Sequence, residues 1–234
     1  MHEDILYHTQ DWGTKVIEHF KDDKVGLIGV AGGHYIPNVS TWAFTFIDSG
    51  TLIQGNRTSY QKRQYDVQSI KSDKYIKEKD NKVQVVAVDG LWFCIPKLVF
   101  DYICFDHQTY NGFHAYDLDI SMQVNKAGFT VYTIFDILIE HFSLGNYDNQ
   151  FLTAINIFHQ IWNSHLPIVK GIVLSETEKN ERAEFAMMSL YNRIETDGLK
   201  MELNRVKNTN SYRLGKFILK PFVIIRRIMN NKRL

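Results

Sequence analysis

The run Lys-Val-Gly-Leu-Ile-Gly-Val-Ala at 24–31, closed by Gly32 and Gly33, is too short for a helix and almost wholly apolar. A run of that kind is a buried strand ending in a turn of the backbone, and a buried strand commits the chain to a layered fold. Its neighbours supply the layers. Trp12, Val16, Ile17 and Phe20 recur at helical spacing within 11–21, which predicts an amphipathic helix. Val83 to Val88 reads as another strand, and Pro96 opens a helix through Ile103, since proline fits a first helical turn. Asp117 is placed to cap a helix running to Ala127 and ended by Gly128. Phe129 to Ile134 and Ile137 to Ile139 are β-rich, and Phe151 to His165 is an aromatic helix stopped before Pro167. Strands alternating with helices predict an α/β sandwich on a mixed, partly parallel sheet. Residues 48–82, polar, charged and rich in Tyr, are expected to form an excursion with at most a short hairpin around Ser49-Gly50.

With 44% apolar and 13% aromatic content, the 234 residues can bury one core and carry an appendage. The character changes near residue 170, so the expected regions are 1–170 and a helical 171–234. Glu176 to Lys207 predicts a long polar helix with Phe185, Met188, Tyr191, Ile194, Leu199 and Leu203 along one side, weakened at Gly198. From Leu203 onward there are nine Lys or Arg and no acid, so the tail carries +9 and residues 1–202 about −8. Ser211 to Asn230 mixes those bases with Phe217, Phe222 and Ile225. An anionic bilayer surface would attract such a segment by about 1 kcal/mol per base. A solvated or self-packed tail is the alternative, and nucleic acid finds no matching fold signature.

Other classes are excluded on simpler grounds. Lys220, Arg226 and Arg227 interrupt the last apolar stretch, which falls far short of a membrane span. The acidic, polar start lacks the pattern of a secretory signal. Cys94 and Cys104 have no CxxC spacing, so neither a disulfide framework nor a zinc knuckle is supported. A reducing cytoplasm is the expected location, with attachment to the inner face of the membrane through the tail. Gly32-Gly33 is not a phosphate-binding fingerprint, because GxGxxG and GxxxxGK are both missing.

Several residues admit two readings from the chain alone. Asp117 by spacing is an N-cap, and there local N–H groups and the helix dipole would hold it as a carboxylate. Asp119 lies about 200° further around the same helix, so it is either a supporting polar group or a buried structural one. Asp89-Gly90 is either a strand-ending turn or a place where a ligand approaches the backbone. Trp92 and His114 offer ring faces and hydrogen-bonding groups to a ligand, although Trp92 on an apolar strand also suits a core. His141 follows a strand and is a surface or core histidine or a ligand. His2 and Asp4, two apart, would share a face if extended, yet a frayed terminus is ordinary for residues 1–4.

The order Asp89-Gly90, Phe105-Asp106, Gly112-Phe113-His114-Ala115-Tyr116-Asp117-Leu118-Asp119, Lys126-Ala127-Gly128 and Glu140-His141-Phe142-Ser143 resembles family 2 glycosyltransferases over roughly residues 1–168. The nearest branch is the bacterial glycosyltransferase-like group that includes streptomycin-biosynthesis-type proteins, and Gly26 to Gly33, Trp42 and Thr51 to Gln54 add to the match. The tail, Asn210 to Lys216 followed by Lys220-Pro221-Phe222, matches a recurring feature of bacterial members. The resemblance implies a GT-A fold lacking its first nucleotide-binding βαβ portion, and inverting transfer from a nucleotide-sugar donor to a saccharide or lipid-linked acceptor. It implies Asp117 as the catalytic carboxylate, Asp89, Gly90, Trp92, His114 and Asp119 on the substrate side, and Asp4, His141 and His2 at a Mg²⁺ or Mn²⁺ ion. A catalytically silent fragment or partner subunit that keeps the acceptor and membrane surfaces is the alternative expectation.

Overall fold

A computed structural model of the chain describes residues 1–55, 65–70, 81–143, 145, 147–214, 216 and 217, with backbone alone for 54, 55 and 65–70. The elements begin with β1 (Ile5–Tyr7), α1 (Trp12–His19), β2 (Val25–Gly29), β3 (Ala31–Gly33), β4 (Tyr35–Ile36), β5 (Asp48–Gly55) and β6 (Tyr65–Ile70). They continue with β7 (Lys82–Val85), β8 (Ala87–Val88), β9 (Phe93–Cys94), α2 (Tyr116–Lys126), β10 (Thr130–Ile134) and β11 (Ile139–His141). The last are α3 (Asn149–Trp162), β12 (Ile168–Val169) and α4 (Glu176–Lys207). One sheet has the order β1-β11-β5-β3-β8 with β6 also on β5; a second runs β7-β10-β2-β9, and β12 pairs with β4. The β10–β2 and β11–β5 pairs are parallel and the rest antiparallel. The fold is therefore mixed α/β of the GT-A-like type.

β2 is the buried strand that residues 24–31 predict, and every one of its residues is buried. Its side chains serve both faces. Leu27 packs with Ile120 and Val124 of α2, while Ile28 packs with Ile134, Ile137 and Ile139. Each such side chain contributes roughly 1.5–3 kcal/mol when fully buried. A third cluster joins Val86 and Ala87 to Leu118 and Met122 of α2 and to Ile155, Phe158 and Trp162 of α3. These contacts fix α2 against β8, the arrangement on which the candidate site depends.

Several elements differ from the sequence expectation. Pro96 leads into a short 3₁₀ helix, Lys97–Asp101, instead of a helix through Ile103. α3 starts at Asn149, before Phe151, because the Asp148 side chain accepts from the N–H groups of Gln150 and Phe151. α4, by contrast, spans the expected Glu176–Lys207 and continues through Gly198. Residues 210–214, 216 and 217 are helical, while Lys220-Pro221-Phe222 and the rest of 218–234 lie outside the described residues.

The largest difference concerns Ser49-Gly50, which is no hairpin turn. Both residues lie in β5, which pairs with β3 through Asp48–Gly50 and with β11 through Leu52–Gln54. Residues 56–64 and 71–80 of the expected excursion lie outside the described residues. Gly50 is needed for close backbone approach: a Cβ there would stand 2.9 Å from the Val30 carbonyl oxygen and 3.0 Å from Ala31 Cα.

The chain divides into two compact units, Met1–Tyr191 and Asn192–Leu234, with the boundary inside α4. In the first unit the Ser40 hydroxyl donates to the Ala186 carbonyl, and Ala186 and Leu190 are buried. Among the described residues no helix is long and apolar enough to cross a membrane. Replacing Gly50 by Val forces β3 and β5 apart and should cost about 1–3 kcal/mol, read as a lower midpoint in chemical denaturation.

Candidate active site

Residues 1–4 are not frayed. The His2 N–H donates to the Leu91 carbonyl, the Phe142 N–H donates to Asp4, and β1 then pairs with β11 in the register Ile5 to His141. This edge pairing brings His2 and Asp4, from one end of the chain, to His141. His2 Nδ1 is 3.2 Å from His141 Nε2, which in turn is 3.4 Å from Asp4 Oδ1. The Ser143 hydroxyl lies 3.2 Å from the same His141 nitrogen. Glu140, on the opposite side of β11, is buried and held by His8 Nε2 at 2.9 Å.

The cluster suits a cation. One ligand atom from each of His2, Asp4 and His141 lies within 4.8 Å of the others, while ligands about 2.1 Å from a shared ion stand roughly 3.0–3.4 Å apart at right or tetrahedral angles. The His2 and His141 nitrogens, which share a hydrogen bond whose direction depends on the tautomer, would both turn lone pairs to such an ion. Burial lowers the His2 pKa and His141 lowers it further, with Asp89 and Asp4 opposing; imidazole must be neutral to ligate. Burial would raise the Asp4 carboxyl, but the Ser143 hydrogen bond and His141 outweigh it, so its pKa falls. Asp4 is thus a carboxylate near neutrality.

Asp117 is not the N-cap of α2. Ala115 occupies that position with φ 67°, and Asp117 sits in the first turn. Its Oδ1 accepts from the Leu118 N–H and its Oδ2 from the Gly90 N–H, both at 3.0 Å. Those bonds do not keep its pKa low. Burial, followed by the charge of Asp89, raises it to about 7 against the pull of the N–H donors. A carboxyl poised there is well matched to proton abstraction at neutral pH.

Gly90 serves its own chain: a Cβ there would collide with the Tyr116 hydroxyl, which donates to the Gly90 carbonyl at 3.1 Å. The Asp89-Gly90 step is thereby locked to the start of α2, and what approaches the glycine backbone is Tyr116. Asp89 accepts from the Leu91 N–H at 2.9 Å and lines the cleft.

The cleft has a volume of about 180 Å³ and brings His2 and His141 together with Asp89, Gly90, His114 and Asp117. His114 Nε2 lies 4.0 Å from Asp148, and burial lowers its pKa with Asp148 opposing. Two candidates lie elsewhere. Trp92 is only 1% exposed and donates through Nε1 to the Tyr7 hydroxyl at 2.6 Å, so it builds the core and offers no face to a sugar. Asp119 is 5% exposed and accepts from Trp162 Nε1 at 2.8 Å and Gln123 Nε2 at 2.6 Å. Half a helical turn from Asp117, it ties α2 to α3. Sequence reasoning missed Tyr116 and Phe113 as cleft walls; only their adjacency to Asp117 and His114 marked them.

The sequence profile of the Glycosyltransferase like family matches residues 1–162. The chain belongs to that family. Comparison with curated proteins found no match. Membership implies, in general terms, a transferase with a sugar donor and an acceptor.

The raised pKa of Asp117 has a sign that stability reports without any substrate. Between the ordinary value of 3.8 and about 7 the folded state binds the proton more tightly than the unfolded state, so this contribution is present at low pH and lost as pH rises through 7. Asn never ionises but offers only one acceptor to the Gly90 and Leu118 N–H groups, so the Tm of Asp117→Asn relative to the native chain should be higher at pH 8 than at pH 4.5, measured by thermal melts in the two buffers.

Proposed function

We propose that this protein is an inverting glycosyltransferase that moves a sugar from a nucleotide-diphosphate donor to a hydroxyl of a saccharide or lipid-linked acceptor. The observation that carries the reading is one cleft containing both a carboxyl poised near neutrality and two imidazoles of a cation-ready cluster. Asp117 takes the acceptor hydroxyl proton as the oxygen attacks the anomeric carbon. The new C–O bond forms while the bond to the diphosphate oxygen breaks, and the diphosphate leaves with that electron pair. Single displacement inverts the centre.

His2, Asp4 and His141 would hold the divalent ion, with the Ser143 hydroxyl beside them. Such an ion supplies positive charge to a diphosphate leaving group. Two imidazoles and one carboxylate favour Mn²⁺ over Mg²⁺, which prefers oxygen ligands and retains its waters. Asp89 raises the proton affinity of Asp117, and His114 lines the acceptor side.

Nucleotide-sugar hydrolysis and transfer with Mn²⁺ test the reading. The native chain should turn over, and Asp117→Asn should lose at least a hundredfold in kcat, within the range expected of a general base. Equal rates would remove Asp117 from that role, and a chain that binds no nucleotide sugar would favour the silent-subunit alternative. Mn²⁺ should also raise Tm by binding the folded state alone, and His141→Ala should abolish that rise.

The end of the described chain supports membrane attachment and hence a lipid-linked acceptor. Tyr212, Leu214 and Phe217 are exposed, and Lys207, Arg213 and Lys216 surround a hollow of about 590 Å³ with Tyr212 and Phe217. Aromatic and basic groups together suit an anionic interface. Cosedimentation should rise with phosphatidylglycerol content; binding that ignores lipid charge would refute the attachment.

A further inference from the structure

A cleft of about 180 Å³ is below the roughly 300–1,000 Å³ of small-molecule sites. It can seat the terminal ring that carries a reacting hydroxyl but little beyond it. The rest of an acceptor needs space nearby, and a hollow of about 400 Å³ adjoins it. Phe113 and His114 line both spaces. The hollow lies between the 109–114 loop and the first turns of α3, where Asn149, Gln150 and Thr153 face it.

Its lining discriminates among ligand classes. Among the described residues that form it there is no Asp, Glu, Lys or Arg. A phosphate or uronate would call for Arg or Lys at short range, so an anionic ligand gains nothing here. Asn111, Asn149 and Gln150 supply amide groups, each with paired donors and an acceptor, and Thr109 and Thr153 supply hydroxyls. Neighbouring hydroxyls of a pyranose match that set. Phe113, 65% exposed, and Ile157 offer apolar surface for the C–H faces of a ring. His114, 4.0 Å from Asp148 and edge-on to Phe151 with ring centroids 5.3 Å apart, stands between the two spaces.

We infer that this hollow is a subsite for an uncharged sugar residue, so that the acceptor is a neutral saccharide at least two residues long. Its terminal hydroxyl reaches Asp117 and its penultimate ring lies against Phe113, Asn149 and Gln150. The inference rests on the glycosyltransferase reading for the role of the ligand, but saccharide binding can be measured without any donor.

The test is saturation-transfer NMR and calorimetry on the whole chain. The probes are cellobiose, lactose and N,N′-diacetylchitobiose, the corresponding methyl monosaccharides, and a glucuronate-containing disaccharide. At least one neutral disaccharide should bind at least tenfold more tightly than its monosaccharide, with saturation reaching both rings. Thr153→Trp, on the exposed face of α3, fills the hollow and should erase that tenfold advantage. Gln150→Ala, a milder change, should reduce it severalfold. The inference is overturned if no neutral disaccharide outbinds its monosaccharide, if both variants leave the advantage within twofold, or if the uronate binds as tightly as the neutral probes. Donor turnover lost while the disaccharide advantage persists would overturn the transferase reading and leave the saccharide site standing.

Discussion

The antiparallel pairing of Ile5–Tyr7 with Ile139–His141 is the constraint on which the site depends. Backbone bonds from His2 to Leu91 and from Phe142 to Asp4 extend that pairing past the strand itself. An exposed sheet edge must satisfy its N–H and C=O groups somewhere, and here β1 satisfies part of the edge of β11. The by-product is chemical. His2 and Asp4 are carried onto His141, and three ligands gather, two imidazoles and a carboxylate, that no local segment could assemble.

A second lock sets the other half of the cleft. Gly90 donates to Asp117 and accepts from Tyr116, so the turn after β8 and the first turn of α2 are fastened at two points. That fastening holds two carboxylates, Asp89 and Asp117, in one partly enclosed space. Like charges in low dielectric resist double ionisation, and the result is a raised Asp117 in place of the ionised N-cap that its sequence position predicts. The carboxyl that suits a base is tuned by burial and by its neighbour. The helix dipole alone would have pushed it the other way.

Much of the fold was legible because it rests on local patterns. The buried run at 24–31, the aromatic helix before Pro167 and the long polar helix at 176–207 follow from periodicity and stop signals. Ser49-Gly50 reads as a turn because a glycine that permits close strand packing looks in sequence like a glycine that permits a turn. Trp92 as a ring face and Asp119 as a second carboxylate each admit a site role and a structural one from the sequence, and the structure gives the structural one. Their side chains point to Tyr7 and to Trp162, contacts across the chain that spacing cannot encode.

The sequence by itself determined the alternation of strands and helices, the charge difference between the two regions, and the ordered motif from Asp89 to Ser143 that carries the family. Each depends on the identity and spacing of near neighbours. Only the tertiary structure decided that His2 and Asp4 join His141, that burial and Asp89 raise the Asp117 pKa to about 7, and that an uncharged, amide-lined hollow opens beside the cleft. Those properties come from desolvation and from residues distant in the chain, and free energies of that kind arise only when the layers pack.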